Sequence, residues 1–292
     1  MSGFRYVRPE SLDEVLALLA DGDADTKLLA GGQSLVPIIS LGLAQPNALI
    51  DFNVLPGLDY AHIEGGMVVI GPLARHRTLE RATADLAAAA PLLPRAGGLI
   101  GHAAIRNRGT FLGSLAHADP AAEWPAVALA VGAELRLISQ RGDRTVTAAD
   151  FFSGPLTTVM EPDEMLLEAR WPVAPPRTGA SVMELTYRHG DYAVVGVAAQ
   201  LSLTDDGTIA RARLTLFSVG PTPLRVVTAE RVLLGAGPEA FPAAAHEAQA
   251  TAQPDSDATA SASYRREMVA VYTQRALTEA YRQALRTAAT TA

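Results

Sequence analysis

The chain has 292 residues, and its 24 Lys and Arg against 31 Asp and Glu give a formal net charge of −7. A moderately acidic chain is a poor candidate for binding nucleic acid, because that affinity comes mainly from clustered Lys and Arg on phosphates. Hydrophobic residues make up 49% of the sequence, which is typical of a folded protein with a sizeable core. The length favours two domains.

The sequence contains no cysteine, which excludes a disulfide, a thiolate zinc site, a cysteine-held iron–sulfur cluster and a catalytic thiol within this chain. The six histidines lack the spacing of a metal site, so we expect no metal ligands and an organic cofactor for any redox chemistry. No apolar stretch approaches the roughly 20 residues of a membrane span, and the N-terminus does not resemble a signal peptide. We therefore expect a cytoplasmic protein.

The first half of the chain predicts an α/β unit. Ser11 and Glu14 have the spacing of a capping box, which predicts that a helix begins there after a short apolar strand. Gly31 and Gly32 follow directly on a predicted buried strand. The predicted elements are a strand and a helix within residues 4–20, strands at 27–30 and 49–52, a hairpin at 62–70 and a helix at 78–90.

Residues 97–113 are rich in glycine and are predicted to be irregular, with a backbone suited to wrapping around a ligand. Asp119 and Pro120 predict the start of the next helix, at 121–131, because Asp is a favoured N-cap and Pro a favoured first helical residue. A hairpin is then predicted at 134–147.

The sequence PVAPP at residues 172–176 marks the predicted boundary between domains at 1–175 and 176–292, because proline does not donate ladder hydrogen bonds. Three long strands predict an antiparallel meander after this boundary. They are followed by a helical pattern and an Ala/Pro-rich connection. The elements are strands at 181–187, 193–204 and 209–219, helix from 228, connection at 235–253 and a final helix at 263–286.

The final helix carries five arginines, which we interpret as a solvated face, with a partner-docking surface as the alternative. They are Arg265, Arg266, Arg275, Arg282 and Arg286.

Two glycine segments carry the chemical information: the first glycine segment is residues 30–35, AGGQSL, and the second is residues 106–114, RNRGTFLGS. Neither is a P-loop or a GxGxxG fingerprint. Glycine turns of this kind expose consecutive backbone N–H groups, which bind phosphate oxygens without a cationic side chain. A single AGG turn is more often an ordinary turn, but two such segments favour a pyrophosphate site.

Five segments of the chain are informative together, in this order: KLLAGGQSLVPIISLGLAQPNALIDF, IRNRGTFLGSLAHADPAAEWPAVALAVGAEL, DFFSGP, DEMLLEARWP and YRHGDYAVVGVAAQ. They resemble the FAD-binding medium subunit of the molybdenum hydroxylases, the family of xanthine dehydrogenase and aerobic carbon monoxide dehydrogenase. The resemblance covers nearly the whole chain. It implies an α+β fold: a two-part α/β FAD-binding domain of the PCMH type, then a C-terminal domain of a three-stranded antiparallel sheet with a helix bundle.

The resemblance also implies the cofactor-binding residues, and it implies no catalytic residue. The family's second loop usually reads Thr-Ile-Gly-Gly-Asn, so Leu112 replaces a glycine here. Glu184 lies where we expect Lys in xanthine-oxidising relatives, and a plain N-cap is the alternative role for Asp119. The implied FAD contacts are Leu28, Leu29, Ala30, Gly31, Gly32, Gln33, Ser34, Leu35, Ile100, Thr110, Phe111, Leu112, Gly113, Ser114, Asp119, Glu123, Leu166 and Glu184.

The function that the resemblance implies is electron transfer through noncovalent FAD. A large partner subunit with a molybdenum cofactor would oxidise the substrate, and two [2Fe–2S] clusters of a small subunit would deliver electrons to the FAD, which passes them to an external acceptor. The implied assembly is (αβγ)2. Two alternatives stay open: a self-sufficient FAD oxidase, and a non-redox nucleotide-binding assembly module.

Overall fold

The computed structural model describes residues 3–22 and 25–291 of the chain. The first sheet has three parallel strands in the order β1-β3-β2. Its strands are β1 (Arg5–Val7), β2 (Thr26–Leu29) and β3 (Ala48–Asp51). Helices α1 (Leu12–Ala20) and α2 (Leu35–Ser40) connect them, which is the predicted α/β unit.

The predicted capping box begins α1. The Ser11 hydroxyl accepts a hydrogen bond from the backbone N–H of Glu14 at 3.1 Å, and the Glu14 carboxylate accepts one from the N–H of Glu10 at 2.7 Å. These bonds satisfy donors that have no partner within the helix. Val15 of α1 and Ile50 of β3 are buried in the same hydrophobic cluster, so the helix and this sheet share a core.

The second sheet is antiparallel, with five strands in the order β4-β5-β10-β6-β7. The two hairpins confirm the predictions for residues 62–70 and 134–147. The central strand is absent from the predicted elements, because a bulge between Leu166 and Glu168 interrupts its alternation of buried and exposed side chains. The strands are β4 (Ala61–Glu64), β5 (Met67–Ile70), β6 (Glu134–Ser139), β7 (Gly142–Thr147) and β10 (Met165–Pro172).

Short helices fill the connection between β5 and β6 and pack on the second sheet. The predicted helix at 78–90 is broken in two, because the Thr83 hydroxyl accepts from the N–H of Leu86 and caps a new helix. The elements of this region and of the segment after β7 are α3 (His76–Glu80), α4 (Ala84–Ala89), α5 (Leu92–Gly97), α6 (Ala103–Arg106), α7 (Phe111–His117), α8 (Glu123–Val131), α9 (Ala148–Phe151), β8 (Phe152–Gly154) and β9 (Thr157–Thr158).

The third sheet confirms the predicted antiparallel meander and adds a two-residue fourth strand. Residues 173–177 connect it to β10. A helix also occupies most of the predicted connection at 235–253, since a proline in the first helical turn is compatible with a helix start. The elements are β11 (Thr178–Leu185), β12 (Val195–Leu203), β13 (Ile209–Phe217), β14 (Leu224–Arg225), α10 (Val227–Leu233), a 3-10 turn (Pro238–Ala240), α11 (Phe241–Thr251) and α12 (Ala262–Thr291).

The long helix α12 lies against β11 and β12. A Cβ atom on Gly179 would lie only 2.9 Å from the carbonyl carbon of Gln283, so this glycine permits the close approach. Within residues 3–22 and 25–291, no helix combines the length and apolar character needed to cross a membrane.

Helix α8 joins the third sheet to the rest of the molecule. The Thr215 hydroxyl in β13 donates to the carbonyl of Ala126 in α8 at 3.0 Å, and the N–H of Ser218 donates to the carbonyl of Pro120 at 2.8 Å. Thr215 is fully buried, so water does not compete for its bond. These contacts hold the third sheet next to the segment that precedes α8.

Candidate cofactor-binding cleft

The two glycine segments are in direct backbone contact. A Cβ atom on Gly31 would overlap the carbonyl oxygen of Arg108 and would lie 2.6 Å from the Cα of Gly109. Gly109 has the same constraint, because its Cβ would lie 2.5 Å from Nε2 of His76. Only glycine fits at positions 31 and 109, because the two glycine segments pass so close to each other there. The wall of the site at this point therefore consists of backbone groups and not of side chains.

Side chains tie the two segments together from behind. The Asn53 amide donates to the carbonyls of Leu29 and Ala30 at 2.9 and 2.8 Å, and its oxygen accepts from Arg75 at 2.7 Å. The Arg75 guanidinium also donates to the carbonyl of Arg108. Asn53 and Arg75 thus fix the end of β2 relative to the second glycine segment.

The second glycine segment is more regular than predicted. The Thr110 hydroxyl accepts from the N–H of Gly113 at 3.2 Å and caps α7, and a Cβ on Gly113 would lie 2.5 Å from that hydroxyl. Residues 103–106 and 111–117 are helical, whereas the glycine content predicts an irregular backbone. The N–H of Phe111 donates to the carbonyl of Ala74 at 3.0 Å, which anchors the start of α7.

A cleft of about 630 Å³ opens in front of both segments, a volume within the range of small-molecule sites. Gly190, Asp191 and Tyr192 from the loop between β11 and β12 also line it. The cleft brings together all but two of the predicted residues. Those that line it are Leu28, Leu29, Ala30, Gly31, Gly32, Gln33, Ser34, Leu35, Ile100, Thr110, Leu112, Gly113, Ser114, Asp119, Glu123 and Leu166.

Phe111 is one of the two exceptions. Its side chain is fully buried in the core, with its ring centroid 4.9 Å from that of Trp124 and 6.0 Å from that of Trp171. Leu112 lines the cleft but is only 2% exposed, so most of its side chain also belongs to the core. The leucine that replaces the family's glycine therefore has a packing role here.

Glu184 is the second exception, and it lies behind the cleft in β11. Burial raises its pKa to about 7, and its Oε2 atom is buried without a hydrogen-bond partner. Burial and then the charge of Glu184 raise the pKa of Glu123 to about 8. Burial therefore favours the protonated, neutral form of both glutamates, and the charge of Glu184 adds to this for Glu123.

Asp119 does not cap α8 as predicted. Its carboxylate accepts from the N–H of Ala121 at 2.9 Å, which makes a local turn, and α8 begins at Glu123 with Ala122 as its N-cap. The turn leaves Asp119 at the cleft wall, close to the hydroxyl of the exposed Tyr192.

His76 also lines the cleft, although no sequence motif marks it. Its position before the second glycine segment gives no motif, and only the antiparallel pairing of Arg75 with Thr110 brings it there. Of the two histidines that flank the second segment, His117 lines the cleft, whereas His102 is exposed and lies outside the lining.

Comparisons with known proteins agree with this architecture. Residues 2–174 match the family model described as the FAD binding domain in molybdopterin dehydrogenase, and residues 180–280 match that of the CO dehydrogenase flavoprotein C-terminal domain. The carbon monoxide dehydrogenase structure from Hydrogenophaga pseudoflava has a chain 39% identical, with a TM-score of 0.92 over 96% of this chain and 98% of that one. A chain of quinoline 2-oxidoreductase from Pseudomonas putida 86 is 34% identical, with a TM-score of 0.90, and the match covers 97% and 98%.

A curated relative extends the similarity to another dehydrogenase. The 6-hydroxypseudooxynicotine dehydrogenase complex subunit alpha of Paenarthrobacter nicotinovorans is 37% identical over 96% of this chain and 95% of its own length. The chain therefore belongs to the family of FAD-binding medium subunits of molybdenum hydroxylases, and it is an FAD-dependent oxidoreductase subunit.

Proposed function

We propose that the cleft is the FAD site of this chain and that FAD is held there without a covalent bond. The first glycine segment and residues 110–114 would hold the pyrophosphate and ribityl portions, and Ile100 and Leu166 would contact the flavin ring. Asp119 and Glu123 would lie beside the cofactor, with Glu184 acting through Glu123. The observation that carries this proposal is the backbone contact between Gly31 and Gly109 at the cleft wall.

The chemistry of the lining supports FAD. Three of its glycines, Gly31, Gly109 and Gly113, have no room for a Cβ atom, so the wall offers backbone groups to a phosphate without side chains in the way. Ile100 and Leu166 add apolar surface for an aromatic ring system. Around the two glycine segments the donors are backbone N–H groups, hydroxyls and an imidazole, which suits phosphate binding through neutral groups, and Lys27 adds a cation elsewhere in the lining.

We infer that the chain works in an (αβγ)2 complex. Bound FAD would supply the redox chemistry, which is electron transfer between the two [2Fe–2S] clusters of a small subunit and an external acceptor. The large subunit would hold the molybdenum cofactor and oxidise the substrate. The residues of this chain bind the cofactor, orient it and limit its contact with water. The relatives support this inference, since one is named as a subunit of a dehydrogenase complex and others as medium chains.

The test is an absorbance spectrum of the purified full chain, followed by heat release of the chromophore. We expect bands near about 370 and 450 nm and FAD in the supernatant. A flavin that stays bound to the denatured chain would contradict noncovalent binding and favour the self-sufficient oxidase. A colourless chain that takes up no added FAD would overturn the proposal in favour of the assembly module.

The proposed complex is tested by affinity purification of the tagged chain from its native cells. We expect two further subunits in equal amounts, with molybdenum and iron in the pooled complex, and a mass of two copies of each subunit. Recovery of the flavin-loaded chain by itself would contradict the assembly while leaving the FAD site intact.

A further inference from the structure

His76 is a buried residue with one nitrogen already in use. It is 5% exposed, and its Nδ1 accepts a hydrogen bond from Nε1 of the fully buried Trp124 at 2.9 Å. Burial, with smaller contributions from the charges of Arg75 and Arg106, lowers the pKa of His76 to about 3. The ring is therefore neutral at physiological pH.

The bond from Trp124 also decides which nitrogen of His76 carries the proton. A neutral imidazole has one donor and one acceptor, and since Nδ1 accepts, the proton is on Nε2. Nε2 lies against Gly109 at the cleft wall, where a Cβ on that glycine would come within 2.5 Å of it. Trp124 thus holds the ring as a fixed donor on the side of the second glycine segment.

Nε2–H has no acceptor in the part of the chain that the structure describes, where the hydrogen bonds of His76 involve its backbone and Nδ1. Nε2 is also not one of the fully buried side-chain atoms without a partner, so it keeps access to the cleft. A nearly buried donor that lacks an acceptor is unfavourable, and a ligand that supplies one gains affinity from it.

We propose that His76 is a positioning residue for the cofactor, which donates a hydrogen bond from Nε2 to an oxygen of the pyrophosphate–ribityl portion of FAD. This inference rests on the proposed FAD site. The acceptor is assigned to that portion because Nε2 borders Gly109, which belongs to the second glycine segment. A neutral donor held in one tautomer gives a contact that stays the same across the pH range of the enzyme.

Two substitutions separate this role from a purely structural one. His76→Asn keeps an acceptor near Trp124 but is too short to reach the cleft, whereas His76→Gln reaches the position of Nε2 with an N–H donor and loses the bond to Trp124. We expect the asparagine variant to bind FAD about tenfold or more weakly and the glutamine variant to stay within about threefold of wild type. We expect the melting temperatures to have the opposite order to the FAD affinities, with the glutamine variant melting at the lower temperature because it loses the bond to Trp124.

The measurements are FAD dissociation constants of the flavin-free full chain, from quenching of flavin fluorescence, and melting temperatures of the same samples. The role of His76 would be overturned if FAD affinity followed melting temperature across the two variants, or if the asparagine variant bound FAD like wild type. Neither result would contradict the FAD site itself. Wild-type chain that binds no FAD would overturn the FAD site and this inference with it.

A spectroscopic measurement on the wild-type chain is independent of how the variants fold. With ¹⁵N-labelled histidine, the nitrogen shifts of His76 should report the Nε2–H tautomer in the flavin-free chain, and FAD should shift the Nε2–H signal and slow its exchange with water. An Nε2–H signal that FAD leaves unchanged would contradict the proposed hydrogen bond.

Discussion

Glu123 at the first turn of α8 and Glu184 in β11 bring two carboxyl groups together where the third sheet meets the cleft. Burial raises the pKa of both, and the charge of Glu184 is the next cause for Glu123. Asp119 adds to the shift of Glu123, and no cation of the described chain contributes to either shift. Both carboxyl groups favour the protonated form, so their effect on folding depends on pH.

The sign of this dependence follows from the raised pKa values. Between the ordinary pKa of 4.5 and the folded values of about 7 and 8, the folded chain binds protons that the unfolded chain has released. The free energy of unfolding therefore decreases as the pH rises through this window, because the buried carboxyl groups become charged. We therefore expect these two groups to lower the melting temperature of the flavin-free chain between about pH 4.5 and about pH 8.

Glu184→Gln should flatten this fall, because it removes one carboxyl group and the repulsion that Glu123 experiences. At the alkaline end of the pH range we expect the variant to melt roughly 2–4 °C above wild type. This shift corresponds to a gain of about 1 kcal/mol in the free energy of unfolding of a chain of this size. Glu267→Gln, an exposed site on α12, is the matched control. A Glu184→Gln curve parallel to that of wild type across the pH range would rule out the coupling.

Leu112 is expected to be needed for stability and not for ligand affinity. Leu112→Gly introduces the glycine that is usual in the family at this position. It also leaves a cavity in the core and lowers the helix propensity of α7. We expect a loss of about 3–5 kcal/mol in the free energy of unfolding, measured with denaturant, and Leu112→Ala should lose somewhat less. Tighter FAD binding by Leu112→Gly would show that the leucine obstructs the cofactor and that its packing role is secondary.

Arg265 is expected to hold the third sheet to the start of α12. It is 5% exposed and donates to the carbonyl of Val194, to the carbonyl of Ser218 at 3.2 Å and to the carboxylate of Asp257 at 2.6 Å. Arg265→Met removes these bonds, leaves the buried carbonyl of Val194 without its side-chain donor and should lower the free energy of unfolding by about 2 kcal/mol or more. Arg266→Met, at an exposed neighbouring position, should change it by less than about 0.5 kcal/mol. Equal effects of the two variants would contradict the burial of Arg265.

The hairpins, the meander and the helix start at Ser11 could be predicted because each depends on a local signal, such as a glycine turn or a capping box. Arg265 shows what a local signal misses. Its helix position predicts a solvated residue, but the loop before α12 folds over it and supplies Asp257 and Thr259 as partners. The break at Thr83 and the helix α11 likewise depend on caps and packing that composition does not reveal.

The residues of the site could be predicted only in part. Glycine-rich composition and the family resemblance identified the segments that line the cleft, but not that Gly31 contacts the second segment. That contact depends on two strands and a helix that bring distant residues together. His76 and the loop with Tyr192 reach the cleft through the pairing of separate segments, so no sequence motif marks them.

The junction of the two glycine segments forms the proposed FAD site, and Gly31→Ala is the substitution that disturbs this junction. Its Cβ would meet the backbone of Arg108 and Gly109, so the segments must separate.

Gly220→Ala is the matched control, because its nearest contact would be 3.8 Å away and it lies outside the cleft lining. The measurement is the FAD content and FAD dissociation constant of both full-length variants. We expect Gly31→Ala to bind at least about 100-fold more weakly, a loss of about 2.7 kcal/mol, and Gly220→Ala to match wild type. Wild-type affinity in a folded Gly31→Ala variant would show that the junction of the two glycine segments does not hold FAD.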